Sequence, residues 1–341
     1  MSIDLSELQD SAQKAFPAST ILPPRDDSWK LVAEMGWLLV DLPEELGGLG
    51  LSREAAAAIL YETGKALCTA PIIPALLALR GIAGAEGFGA RGEWIERICG
   101  GEYVPLNMLP AKVQQGTDGT LSGTASGLFE ADMANHVLIG SAAGYHLVAL
   151  GAPGVTLVER PLWDHSRRVF DVVLDAAGGD AVTPVAEGEA AHALHDDIAR
   201  SAHLFIAADS LGGASATLEL TVEYLKVRKQ FDRPLAMFQA LKHRCADLKT
   251  AIVVAEALFW ERAALVETAP VVDLGAMKGL ATDCYRLVTE DAIQLHGGIG
   301  LTDEYPVHHY MKRAMLNLQL CGSLDHWRAA TGRAALARFA A

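Results

Sequence analysis

The residues of this chain best suited to chemistry lie in a few short segments. RKQF, from Arg228 to Phe231, sets a guanidinium three residues ahead of an aromatic ring. A guanidinium is a planar fork that grips paired oxyanion oxygens through two parallel hydrogen bonds; the plainer reading is a surface Arg and a core Phe at a helix end. QLHGGIG, from Gln294 to Gly300, closes a helical stretch with the pair Gly297 and Gly298. Glycine there permits positive φ and lets backbone approach a ligand, yet it is also the usual residue just past a helix end. No third Gly follows at the spacing of a dinucleotide fingerprint. HALHDD, from His192 to Asp197, has two His three apart beside acids, a metal-like spacing that reads better as solvated polar residues. His308 and His309 point to different faces of a helix and make no ligand pair. Asp291 and Glu290 read as surface charge. Cys321, before Gly322 and Ser323, carries a thiol with a pKa of roughly 8.5, mostly protonated at neutral pH.

Three kinds of element position these residues. The first hundred residues read mostly as helices, with apolar periodicity over Asp26–Met35 and Ser52–Ala66 and a loop, DLPEELGGLG, between them. Ser52 is an expected N-cap, with Glu54 in the first turn. From Tyr103 the pattern turns to short strand-like runs at His136, Tyr145, Val155 and Val169, separated by Gly, Pro and Asp as in an antiparallel β subdomain. After Ala191 it returns to helix: Asp197–Phe231, Met237–Glu267, Leu274–Leu295, Val307–Leu320 and Asp325–Phe339. In the second of these, Leu241, Cys245, Leu248, Ile252, Ala255 and Phe259 repeat at steps of four and three, the buried seam of a bundled helix. The expected domains are 1–100 (helical), 101–190 (a reduced β domain) and 191–341 (a four-helix bundle), an α+β chain that is mainly α.

Composition narrows the classes. A net charge of −14 argues against nucleic acid or an anionic membrane as partner. No apolar run approaches the roughly 18 residues of a membrane span. The N-terminal MSIDLSELQDSAQKAF has no apolar core of a signal peptide. Five cysteines without a CxxC pair fit reduced thiols and a cytoplasmic location, with no zinc site.

RKQFDRPLAMFQALKHRCADL (Arg228 to Leu248), QLHGGIGLTDEYP, and MKRAMLNLQLCGS (Met311 to Ser323) together resemble the acyl-CoA dehydrogenase family. GWLLVDLPEELGGLGLS, from Gly36 to Ser52, resembles that family's N-terminal region, as a loop beside the substrate channel. The resemblance implies the family's fold: a helical N-terminal part, a middle β-barrel and a C-terminal four-helix bundle that assembles tetramers. It also implies that Arg228, Gln230 and Phe231, with Gln294, Gly297 and Gly298, reach across a subunit interface to a neighbour's FAD.

Three departures from the family pattern stand beside these matches. Where the family has a catalytic Glu before Gly-Thr or Gly-Ser, this chain has Cys321, so its catalytic residue is absent. The alternative Glu position on the long helix falls at about Ala202, next to His203. In place of the family's flavin loop and its Lys-x-Trp-Ile-Thr strand stands YVPLNMLPAKVQQGTDGTLSGTASGLFE, with Gly127 where the Trp belongs. Leu324 and Asp325 follow Ser323, where a polar pair ending in Gln is usual, and Asp adds unfavourable negative charge near a flavin. The resemblance thus implies a subunit of a heteromeric α₂β₂ acyl-CoA dehydrogenase that shares FAD across the interface. A full-length partner would supply the Glu, the substrate would be an acyl-CoA, and an electron-transfer flavoprotein would take the electrons. The analogy extends to steroid side-chain dehydrogenases. The alternatives are a flavin monooxygenase on the same fold and a flavin-free scaffold or regulatory subunit.

Overall fold

The computed structural model describes residues 4–340. In chain order the elements are α1 (Leu5–Ala15), α2 (Arg25–Glu34), α3 (Arg53–Lys65), α4 (Ile72–Ala83) and α5 (Arg91–Cys99). Seven strands follow: β1 (Lys112–Gln115), β2 (Leu121–Phe129), β3 (His136–Ser141), β4 (Gly144–Ala149), β5 (Val155–Arg160), β6 (Val169–Ala177) and β7 (Val182–Ala186). Then come α6 (Gly188–Val227), the two-residue strands β8 (Lys229–Gln230) and β9 (Arg233–Pro234), α7 (Gln239–Ala264), α8 (Val271–His296), α9 (Val307–Asn317) and α10 (Leu324–Ala340). The arrangement expected from sequence, mainly helical with strands in the middle of the chain, is the one observed.

The chain forms two compact units, each assembled from separated segments. One holds Pro24–Arg53 and Thr69–Ala202. Its β layer is two antiparallel sheets, ordered β1-β2-β6-β5 and β3-β4-β7. Leu121, Leu128, Val137, Ile139, Val148, Val172 and Leu174 fill its core. Helix α4 is buried at every position except Arg80, as a helix apolar all round must be. Arg80 joins Asp197, at 2.6 Å, and Asp41, at 3.3 Å.

The other unit comprises the residues up to Pro23, then Glu54–Cys68 and His203 onward. Within it α8 packs against α7, α9 and α10. Leu248, Ile252, Ala255 and Phe259 of the α7 seam are buried as the periodicity requires, while Leu241 and Cys245 are half-buried. Truncating Phe259 to Ala would cost about 3–5 kcal/mol. The unit also buries an ion pair: Arg313 of α9 donates to Asp209 at 3.1 Å, and the Asn317 amide reaches the other carboxylate oxygen at 2.8 Å.

The boundaries that differ most from the sequence reading are those of the long helix α6. Helix α6 begins at Gly188 rather than Asp197, because the Ala-rich EAAHALH run is itself helical. It ends at Val227 rather than Phe231, because the backbone of Phe231 and Asp232 turns to positive φ. Strands β1, β2 and β7 carried no clear alternation in the sequence. In β2 the pairing with β6 shifts twice, at Leu121/Gly123 and at Ser126/Leu128, which scrambles the two-residue period.

Candidate functional site

Two neighbourhoods carry the residues singled out in the sequence. The first is the turn between α9 and α10. Cys321 has φ +51° and Gly322 φ +97°, so two consecutive residues take the left-handed conformation that lets the chain reverse. The last carbonyls of a helix lack partners within it. Here the Lys278 ammonium, fully buried on α8, donates to the Gly322 carbonyl of the turn at 2.8 Å and, more distantly, to that of Leu318, just past the end of α9, at 3.5 Å. A cation at a helix C-terminus also suits the helix dipole. Burial pushes the Lys278 amine down to about 8, against a small opposing pull from Cys321. Burial pushes the Cys321 thiol up to about 11, against the nearby ammonium. A thiol held that high is neither a base nor a nucleophile at neutral pH.

Trp327 of α10 locks the turn from the other side. Its Nε1 donates to the Cys321 carbonyl at 3.0 Å, and its indole lies in a groove that glycines open. A Cβ at Gly275 would stand 2.1 Å from the ring, and one at Gly322 would stand 2.7 Å from Nε1. The His203 ring meets the indole edge-on at 4.5 Å. The turn is therefore held by a lysine, an indole and the backbone.

The second neighbourhood is the edge formed by the β8–β9 hairpin and the end of α8. Gln230 pairs with Arg233, leaving a two-residue turn in which Phe231 (φ +52°) and Asp232 (φ +61°) are both left-handed. Such turns favour Asn-Gly. Holding a Phe there costs roughly 1–2 kcal/mol. The ring is 85% exposed. It meets Phe238 at 6.1 Å, and the Arg233 guanidinium sits 4.0 Å above that second ring.

Arg228 is exposed. Its backbone is fixed, N–H to the Tyr224 carbonyl at 2.9 Å and carbonyl from the Leu235 N–H at 2.8 Å, but its guanidinium has no partner among the described residues. Gln230 donates only to the adjacent Lys229 carbonyl, at 2.8 Å. On the α8 side Gln294 is exposed, and its carbonyl accepts the Gly297 N–H that caps the helix. Gly297 has φ +65°, and a Cβ on Gly297 or Gly298 would meet nothing within 4 Å. The turn is open on its outer side. In a chain of net charge −14, residues 226–249 hold seven basic residues against two acidic. Free bidentate donors, open glycine backbone and local positive charge fit the pyrophosphate and adenosine half of FAD.

The β layer is tightly packed at Gly127. A Cβ at Gly127 would lie 2.8 Å from Leu109 Cγ and 3.0 Å from its backbone N. The Met108 N–H donates to the Gly127 carbonyl at 2.9 Å, and the Tyr103 hydroxyl to that of Phe129 at 2.6 Å. The segment from Tyr103 to Leu109 therefore covers this end of β2, where no bulky side chain fits. Glu130, buried and at φ +49°, accepts the Arg168 N–H at 2.6 Å and Arg25 Nη1 at 2.8 Å.

Several weaker readings need correction. The acids of HALHDD are not simply solvated: Asp197 pairs with Arg53 at 2.5 Å and with Arg80, which holds its carboxyl below the usual range despite burial. The His308 and His309 rings converge, with centroids 4.0 Å apart, because side-chain rotation brings neighbouring rings together. No cluster of three or more metal-ligating side chains occurs among the described residues. Asp291 is ion-paired to Arg244 and Glu290 to Arg286. Lys278, Trp327, Tyr224 and His296 went unremarked in the sequence. Gly275 and Gly279, four apart and flanking Lys278, were the available signal of a close helix approach.

Comparison with known proteins places this geometry in context. Residues 6–102 match the family described as acyl-CoA dehydrogenase, N-terminal domain, and residues 201–336 match acyl-CoA dehydrogenase, C-terminal domain. The chain is 31% identical to acyl-CoA dehydrogenase IpdE2 of Mycolicibacterium smegmatis, over 86% of this chain and 83% of the relative. It is 30% identical to IpdE2 of Mycobacterium tuberculosis, over 86% and 82%. Among solved structures it is similar to a variant of the Tcur3481–Tcur3483 steroid ACAD, with a TM-score of 0.86, 26% identity and 99% of each chain covered. It also matches the ChsE4–ChsE5 complex of Mycobacterium tuberculosis, with a TM-score of 0.85, 24% identity and 98% and 97% covered.

Proposed function

The chain belongs to the acyl-CoA dehydrogenase family, and from that premise we propose that it is the non-catalytic partner in a heteromeric α₂β₂ member. It lends nucleotide contacts to an FAD whose ring and catalytic Glu belong to the second chain. The observation that carries this reading is the exposed Arg228 guanidinium, unpartnered among the described residues, beside a strained and exposed Phe231. Neither arrangement gains anything in the chain by itself.

Bound FAD supplies the hydride acceptor for α,β-desaturation of an acyl-CoA. This chain's own residues bind and orient. Arg228 grips pyrophosphate oxygens, Gln294 and the open backbone at Gly297 and Gly298 approach them, and Phe231 lays an apolar face near the adenine. No proton moves through Cys321, whose thiol stays protonated. The two solved relatives are named as pairs, one of them a steroid ACAD. The first supports a bulky, steroid-like CoA thioester as substrate; an electron-transfer flavoprotein as acceptor follows from the family resemblance. No helix among the described residues is long and apolar enough to cross a membrane. A monooxygenase needs a whole flavin site, which the filled space at Gly127 argues against; a flavin-free scaffold leaves the Phe231 strain without a purpose.

The test is flavin absorbance of the chain purified alone and co-purified with a full-length homologue. A colourless chain and a yellow complex, at about one FAD per heterodimer, are expected. In the complex Arg228→Ala should weaken FAD binding by about 2–4 kcal/mol, for two charge-assisted hydrogen bonds. Unchanged occupancy would sink the reading.

A further inference from the structure

The two halves of the open edge come from different helices, α6 through its hairpin and α8 through its terminal turn, and a shared nucleotide needs both in register. Three aromatic rings join them. The Tyr224 ring, in the last turn of α6, stacks on the last residue of α8, His296, at 4.4 Å and 28°. The Tyr224 hydroxyl donates to the His296 carbonyl at 3.3 Å. Tyr305, from the segment before α9, closes the set at 4.7 Å from His296 and 5.4 Å from Tyr224. His296 is 4% exposed. Its Nδ1 lies 2.7 Å from the Ala292 carbonyl and donates to it, and its buried Nε2 has no hydrogen-bond partner among the described residues.

Two of the three rings lead directly into binding residues. Tyr224 holds the Arg228 N–H through its carbonyl at 2.9 Å, and His296 is bonded to Gly297. The backbone is tight beneath: a Cβ at Gly300 would stand 3.0 Å from His296 Cβ. We propose that Tyr224, His296 and Tyr305 form an aromatic clamp that positions the Arg228 hairpin against the Gln294–Gly298 turn, setting the affinity of this edge for a nucleotide diphosphate. These are positioning residues that do not touch the nucleotide, and the proposal rests on the trans-binding reading above. Ring stacking carries the clamp more than the tyrosine hydroxyl, whose bond at 3.3 Å is long.

The experiment uses the complex with its full-length partner, stripped of flavin, and measures FAD and ADP dissociation constants by fluorescence and calorimetry. Tyr224→Leu removes two ring contacts and should weaken both ligands about tenfold. Tyr224→Phe keeps the rings and should restore affinity to within about twofold. A merely structural role would be revealed by equal losses in both variants, or by an affinity loss that follows the thermal midpoint of the apo complex. Tyr305→Leu, measured the same way, keeps the test alive if Tyr224→Leu does not fold. Arg228→Ala separates the two ideas. If it weakens FAD and ADP while Tyr224→Leu and Tyr305→Leu leave them unchanged, the clamp alone is overturned; if it too changes nothing, the trans-binding reading falls.

Discussion

The Cys321 turn and the Arg228 edge lie in the same compact unit, and they are built in opposite ways. At the turn every prominent group is used up: Lys278 on carbonyls, Trp327 in a glycine groove, Cys321 protonated by its surroundings. At the edge a guanidinium, an aromatic ring and two glycines are left open. The contrast teaches that reactive chemistry and ligand contact are separable within one fold. A turn between helices can be closed by packing while a hairpin edge of the same unit keeps its donors open and its backbone strained.

The strongest way to break the contrast is to reopen the turn. Gly275→Val should evict Trp327 and cost about 3 kcal/mol or more in urea unfolding, since overpacking a tight groove cannot be relieved locally. The same variant should make Cys321 accessible to an alkylating reagent. A neutral result would mean the indole is not seated in the groove.

Next comes the buried charge. Lys278→Met leaves the Gly322 and Leu318 carbonyls without their donor, a loss of about 1–3 kcal/mol at pH 7. Its pH signature is specific. Folded Lys278 releases its proton near 8, while the unfolded chain holds one until 10.5. Between those values the unfolded state binds more protons, so stability rises with pH. Cys321 acts the other way: the unfolded thiol ionises at about 9 and the folded one at about 11, so stability falls across that window. The Cys321 contribution cancels in the difference between wild type and Lys278→Met, which should grow from pH 8 toward 10.5, while wild-type stability itself should rise from pH 8 to 9 and then level off. In a Cys321→Ala background stability should keep rising toward pH 10.5. A difference that ignores pH would place Lys278 in water.

Smaller effects sharpen the open side. Phe231→Gly should relieve about 1–2 kcal/mol of turn strain in the chain alone, while lowering FAD retention in the complex. Stability and binding moving in opposite directions is the outcome expected of strain kept for contact. Arg233→Ala, losing an exposed cation–π contact with Phe238, should change FAD affinity by less than about 1 kcal/mol.

The sequence made the edge legible and the turn only half so. Arg228, Phe231, Gln294 and the glycines lie in contiguous segments whose spacing survives in one dimension. The helices announced themselves as well, the α7 seam from Leu248 to Phe259 above all. Lys278 did not, because a lysine between glycines in GAMKGLAT looks like a solvated face, and only the arrival of the turn after α9, with the Leu318 and Gly322 carbonyls, makes it internal. Trp327 was hidden for the same reason, since its groove comes from another helix. In β2, Gly123 and Gly127, both at positive φ, interrupt the alternation by which a strand is recognised.

The hairpin has a further consequence, for how the protein is made. Val227, Phe231 and Met237 stand 73%, 85% and 58% exposed within a short stretch of chain. Apolar side chains gathered on one surface invite self-association. The chain made by itself should therefore self-associate as its concentration rises, which light scattering would read.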